Sequence, residues 1–149
     1  MYFNLLNQPE KLVRDVSIRL ENKEENKKNA LKFGKAYFDG KREEGYGGYI
    51  YDGRWIAIAE RLIRRYNLNQ SSKYLDIGCA KGFLMSDLKN AIPELEVCGL
   101  DISTYAKDHA MENIKNDIII GNCAEIPYPD NSFDAVTAIN TIHNLEYEE

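Results

Sequence analysis

The sequence predicts an α/β fold: a parallel sheet with flanking helices, preceded by a helical N-terminal segment. Three observations predict it. Residues 73–139 run strand, helix, strand, helix, strand, loop, strand, the rhythm of βαβ units. The first strand ends in a glycine-rich turn, Gly78-Cys79-Ala80-Lys81-Gly82, which leads directly into helical periodicity. Ahead of residue 73, apolar residues recur three or four apart.

At 149 residues, with 44% hydrophobic and 29% charged residues, the chain has ordinary globular composition. Collagen-like, mucin-like and wholly disordered classes are excluded. Apolar runs such as Ile118–Ile120 fall far short of the roughly 20 residues of a membrane span. The start, Met1-Tyr2-Phe3-Asn4-Leu5, lacks the basic region of a secretory signal. Cys79, Cys98 and Cys123 form no C-x-x-C pair, and His109 and His143 are the only histidines. Neither a disulfide framework nor a metal site is expected, and reduced cytoplasm is the expected compartment. The net charge of −5 divides unevenly: 14 basic against 10 acidic residues through Arg65, then 5 against 14. The basic half alternates with Glu and Asn and carries no RNA-binding aromatic signature, which favours a solvated helical surface over a nucleic-acid partner.

Pro9 and Glu10 open a helix carrying Leu12, Val13, Val16 and Leu20. Glu21 to Asn29 hold no apolar residue and read as an exposed helix or a linker; Leu31, Phe33, Tyr37 and Phe38 restore an apolar face. Gly40, Gly45, Gly47, Gly48 and Gly53, interleaved with Tyr46, Tyr49 and Tyr51, make a loop rich in turns and aromatics. A helix from Trp55 aligns Ile58, Ala59, Leu62, Ile63 and Tyr66. Lys73–Ile77 is the first strand, Phe83–Ile92 a helix closed by Pro93, and Glu96–Leu100 the second strand, ending at Asp101. Ser103 caps a helix expected to run to about Ile114. Asp117–Ile120 is the third strand, Pro127-Tyr128-Pro129-Asp130-Asn131 a turn-rich loop, and Phe133–Ile139 the fourth strand.

Ligands of parallel sheets sit at the carboxyl ends of the strands, near the point where strand order reverses. That brings together the residues after each strand: 78–82, Asp101, 121–123 and 140–143. In the first group a dinucleotide fingerprint, G-x-G-x-x-G, places Phe83 at its third glycine, where a large side chain blocks helix–strand packing. The pattern acidic-x-G-x-G-x-G instead fits Asp76, Gly78 and Gly82, with Ala80 the one departure. Asp101 follows Gly78 by 23 residues; a carboxylate there accepts both hydroxyls of a ribose, or else serves the helix N-terminus behind it. The third group opens Gly121-Asn122-Cys123-Ala124-Glu125-Ile126-Pro127 and closes Asn131-Ser132-Phe133-Asp134.

With those three motifs in order, Lys73 to about Leu145 resembles the class I S-adenosylmethionine-dependent methyltransferases, of the small-molecule type. The resemblance implies a Rossmann-like sheet, S-adenosylmethionine as cofactor, and a cofactor site formed by Asp76, Gly78, Cys79, Ala80, Gly82, Asp101, Ile102, Asn122, Cys123 and Asn140. Asn122 stands where the family usually has Asp, and its side-chain oxygen can still meet the adenine amino group. Cys123 faces adenine through its N–H, fills a small buried space, or does both. In Asn140-Thr141-Ile142-His143-Asn144, His143 stands where the family often has paired histidines, as an acceptor-orienting base or as a surface histidine. Ahead of the sheet, Tyr46 offers a ring to the sulfonium and Arg54 a partner to the methionyl carboxylate; alternatively the segment is a rigid turn.

The expected reaction is methyl transfer to a small-molecule acceptor, a sugar or another polar molecule. Neither nucleic acid nor membrane is an expected partner. Residues 1–53 are expected to form a helical segment with a covering loop, and 54–149 a partial methyltransferase domain. About four of the family's seven strands fit in this length, so the chain reads as an N-terminal part that ends after strand four and is inactive alone. A non-catalytic S-adenosylmethionine-binding relic is the alternative, and a nicotinamide oxidoreductase a weaker one.

Overall fold

The computed structural model describes residues 4–6 and 23–142. Contacts divide the chain into two compact units, Met1–Tyr51 and Asp52–Glu149. The helix expected from Pro9 to Leu20 lies outside the described residues.

In the first unit, α1 (Lys23–Ala30) buries nothing. Its support is electrostatic: Glu24 and Glu25 occupy the first turn and Lys27 and Lys28 the last, complementing the helix dipole. The polar run from Glu21 is thus helical over most of its length. A short α2 (Lys35–Asp39) turns Phe38 inward, and its rings gather the tyrosines of the glycine-rich segment. Tyr46 stacks on Phe38 at 5.9 Å between centroids and meets Tyr37 edge-on at 5.2 Å. Tyr49 packs 4.5 Å from Tyr46. The Tyr46 N–H donates to the Tyr37 carbonyl (2.8 Å), and a Cβ on Gly45 would stand 2.1 Å from that oxygen, so only glycine fits there.

The second unit begins with α3 (Ile56–Tyr66), which buries Ile58, Ala59 and Leu62 and ends on Asn67 in the left-handed region. β1 (Lys73–Ile77), α4 (Phe83–Ala91), β2 (Glu96–Asp101), α5 (Thr104–Asp108), β3 (Ile118–Ile120) and β4 (Ala135–Thr137) follow. All pairings are parallel, in the order β3-β2-β1-β4. The chain moves outward from β1 to β3 and then crosses back to the far side of β1, which puts the reversal point between β1 and β4.

Register and strand alternation place Tyr74, Asp76, Val97, Gly99, Asp101, Ala135 and Thr137 on one face. Here α4 approaches so closely that a Cβ on Gly99 would lie 2.7 Å from the Met85 sulfur. Leu75, Ile77, Cys98, Leu100 and Val136 point the other way. No helix of the described residues is long and apolar enough to cross a membrane.

Two elements are clearly shorter than their sequence patterns. The helix capped by Ser103, whose hydroxyl accepts the Ala106 N–H at 2.9 Å, ends at Asp108 rather than near Ile114. The Met111 N–H donates instead to the Lys81 carbonyl (3.1 Å) and Lys115 Nζ to the Asp108 carbonyl (2.7 Å), so tertiary pairing overrides helical spacing. The fourth strand is confined to Ala135–Thr137 because Phe133 packs edge-on against Tyr128 and Asn140 turns to φ +55°.

Candidate functional site

The glycine turn after β1 needs left-handed backbone at Gly78 (φ +73°), Ala80 (φ +52°) and Gly82 (φ +70°). Two of these are glycines, for which the conformation costs nothing; Ala80 carries the strain of an L-residue there. The turn hangs from β2, with the Gly78 N–H donating to the Leu100 carbonyl at 2.7 Å. On the opposite side, the Thr141 hydroxyl donates to the Ile77 carbonyl (3.0 Å) and sits where a Cβ on Gly78 would fall, 2.0 Å away.

Asp101 is the second anchor. Its Oδ2 accepts the Ala80 N–H at 2.7 Å and its Oδ1 the Ser103 N–H at 2.8 Å. Burial pushes its carboxyl up, and the N–H groups of Ser103, Ala80 and Ile102 pull it back. An ionised carboxylate has about four acceptor sites, so two backbone bonds leave capacity for two hydroxyls. Ile102 stands exposed beside it, an apolar surface of 53% relative accessibility next to a charged corner.

Asp76 is buried at the end of β1, and burial pushes its carboxyl up to about 7, helped by the Asp101 charge and opposed by the Thr137 hydroxyl. That hydroxyl donates to Oδ1 at 2.8 Å and is itself hydrogen-bonded to the Tyr74 phenol. The Cys79 thiol beside these carboxyls is held well above its usual range by burial and by both charges, so it stays protonated.

Beyond β3, Asn122 is exposed and its Oδ1 accepts the Ala124 N–H at 3.0 Å, while Cys123 is half-buried. The residues that close the third motif prove architectural. Asp134 accepts the Lys73 N–H through Oδ2 (2.8 Å) and returns its own N–H to the Lys73 carbonyl (2.9 Å), sealing β4 to β1. The Ser132 hydroxyl donates to the Pro129 carbonyl at 2.7 Å.

The fold therefore gathers Asp76, Gly78, Cys79, Ala80 and Gly82 with Asp101 and Ile102 at adjoining strand ends, with Asn122, Cys123 and Asn140 just past the ends of β3 and β4. Tyr46 lies in the first unit, inside its aromatic cluster. Arg54 is exposed and forks onto Asp52, with Nε 2.8 Å and Nη2 2.5 Å from Oδ2. His143 falls outside the described residues. Sequence reasoning missed Thr137 and Tyr74. Their signal is parity on β1 and β4, visible only once the register Asp76↔Thr137 is known.

These groups fit a ligand with a cationic end, a vicinal diol and a flat apolar ring: a buried carboxyl, a strand-end carboxylate and an exposed isoleucine, in that order along the strand ends. Comparison with known proteins agrees. A family model described as a methyltransferase domain matches residues 75–149. Demethylmenaquinone methyltransferase of Geobacillus kaustophilus is 36% identical over 93 residues, covering 56% of this chain and 39% of that protein. A crystal structure from Anabaena variabilis, provisionally named a methyltransferase of an antibiotic biosynthesis pathway, aligns with TM-score 0.54 at 27% identity, over 62% of this chain and 36% of the other. A provisionally named S-adenosyl-L-methionine-dependent methyltransferase from Methanococcus maripaludis shares the fold over 93% of this chain and 57% of its own, with TM-score 0.54 at 20% identity. The match to the Geobacillus kaustophilus protein thus spans about two-fifths of that relative's length (39%). With half of its residues under the family model, the chain belongs to the methyltransferase domain family, whose S-adenosylmethionine-dependent members its motifs resemble.

Proposed function

We propose that this chain binds S-adenosylmethionine across the ends of β1 and β2 and serves methyl transfer to a small-molecule acceptor. The observation that carries this is Asp101: a strand-end carboxylate fixed by two backbone N–H groups, with acceptor capacity left and Ile102 exposed beside it. Asp101 takes the ribose hydroxyls and Ile102 lies along the adenine. Asn122 meets the adenine edge, and Asp76 faces the cationic methionine end. The glycine turn lets the backbone approach the cofactor closely.

When bound, S-adenosylmethionine supplies a methyl carbon on a positive sulfur, open to in-line displacement by an acceptor atom. The protein's part is alignment: holding donor and acceptor about 3 Å apart can lower the barrier by several kcal/mol. A general base is needed only for an acceptor that must lose a proton, the role open to His143. A sugar-like or other polar acceptor is the class we favour, on the tyrosine- and glycine-rich texture of 45–53. The relative's name points to demethylmenaquinone instead, and product analysis with both acceptor classes separates them.

Titration calorimetry of the 149-residue chain with S-adenosylhomocysteine tests the cofactor site. Micromolar binding is expected, weakened at least tenfold in Asp101→Ala, since a hydrogen bond to a charged group contributes about 1.5–3 kcal/mol. No binding by a chain that circular dichroism shows folded overturns the assignment.

A further inference from the structure

Behind Asp76 a hydrogen-bonded chain runs through Thr137 to Tyr74. β1 and β4 pair with Tyr74 opposite Ala135 and Asp76 opposite Thr137. Residues two apart on a strand share a face, so Tyr74, Asp76 and Thr137 all point the same way. On the β4 side, the residue opposite Tyr74 is Ala135, which offers just a methyl, and the phenol reaches the Thr137 hydroxyl. All three side chains are buried.

The direction of these bonds follows from the inventory of protons. An ionised Asp76 can only accept, so Thr137 gives it its single proton. The Thr137 oxygen is then an acceptor, and the Tyr74 hydroxyl must donate to it. No other hydrogen bond reaches the Asp76 carboxyl from the described residues, which leaves Oδ2 for a ligand. The charged or titratable groups facing it are Asp101 from β2, Cys79 from the turn and Tyr74 on its own strand. Asp101 opposes the anion, and the two others are neutral near pH 7.

We propose, on the cofactor reading given above, that Thr137 is a positioning residue: oriented by Tyr74, its hydroxyl holds the Asp76 carboxylate ionised and aimed at the cationic end of the cofactor. It acts through Asp76 and need not touch the ligand. Removing the hydroxyl leaves a buried anion with nothing to offset the repulsion of Asp101, so Asp76 ionises at higher pH and the ligand's cation meets a neutral acid.

The test is S-adenosylhomocysteine binding by the full chain between pH 5.5 and 9, about two units either side of neutrality, for Thr137→Val, Thr137→Ser and Tyr74→Phe. For Val, roughly tenfold weaker binding at pH 7 is expected, with the rise of affinity moved about one unit toward alkaline pH. Serine restores both. Tyr74→Phe, which keeps the Thr137 proton but loosens its direction, costs about threefold. If the wild-type chain binds and Val leaves affinity and pH profile unchanged, or Ser loses as much as Val, the proposal is overturned while the cofactor reading stands. If Val does not fold, Ser and Phe decide: a wild-type profile in Phe overturns it. A folded wild-type chain that binds nothing removes the cofactor reading, and this proposal with it.

Discussion

Asp76 and Asp101 are the same residue type at the ends of neighbouring parallel strands, yet the structure holds them in opposite ways. Asp101 is gripped by the backbone: Ala80 and Ser103 each give it an N–H. Asp76 receives one side-chain hydroxyl, from Thr137, and burial carries its carboxyl to about 7. A backbone donor cannot rotate away, so Asp101 is a fixed anion that also organises the turn. The anion at Asp76 is conditional, and a cationic ligand completes it.

The largest effect that would break this contrast is expected at Asp101. Asp101→Ala strands the buried N–H groups of Ala80 and Ser103, a loss of about 2–4 kcal/mol by urea denaturation, in addition to the loss of ligand binding. Asp76→Asn should do the reverse to stability. The native carboxyl titrates near 7 and the unfolded one near 3.8, so the native state holds the extra proton between those values and stability falls as pH rises through that window. The amide removes this penalty: at pH 8 the ligand-free variant should be more stable by a few kcal/mol, on the order of 1.4 per unit of pKa difference, yet bind S-adenosylhomocysteine at least tenfold more weakly. An Asp76→Asn variant no more stable than wild type at pH 8 would show that water reaches this carboxyl. A ligand that ionises Asp76 also expels a proton, measurable near pH 7 as a dependence of binding enthalpy on buffer. Ser103→Ala, which removes the cap behind Asp101, should cost about 1 kcal/mol. The smallest change is Ala80→Gly. Relief of left-handed strain, about 1–2 kcal/mol, is offset by glycine's entropy of about 0.5–1, leaving a net gain of at most ~1.5 kcal/mol in a melting scan.

The same contrast explains what was legible in the sequence. Asp101 could be found because it ends a plain strand 23 residues after Gly78 of a contiguous glycine turn, and Ser103, two residues on, doubles as a helix cap. β1 and β2 were equally plain, as buried runs bounded by turn residues. The Tyr74–Thr137–Asp76 chain could not be read, because it joins residues 61 and 63 apart and exists only in one strand register. Long-range pairing likewise shortened the helix after Ser103, when Met111 turned to the Lys81 carbonyl. It also shortened β4, whose flanks went to Tyr128 and to the anchor at Lys73. Asp134, prominent as part of a motif, turned out to clamp β4 to β1.

Gly78 and Thr141 share one small volume, since the threonine hydroxyl sits where a Cβ on Gly78 would fall. Their substitutions should therefore be epistatic. Gly78→Ala alone meets both the occupied space and the positive φ, and Thr141→Ala alone merely frees the Ile77 carbonyl. The double mutant removes the hydroxyl and methyl that stood 2.0 and 2.6 Å from the new Cβ but keeps the residue-141 Cβ at 2.8 Å and the positive φ, so the collision is eased and its loss of stability should be smaller than the sum of the two single losses. Lineages that lose the glycine can be expected to have lost the threonine first, because that order meets the least crowding.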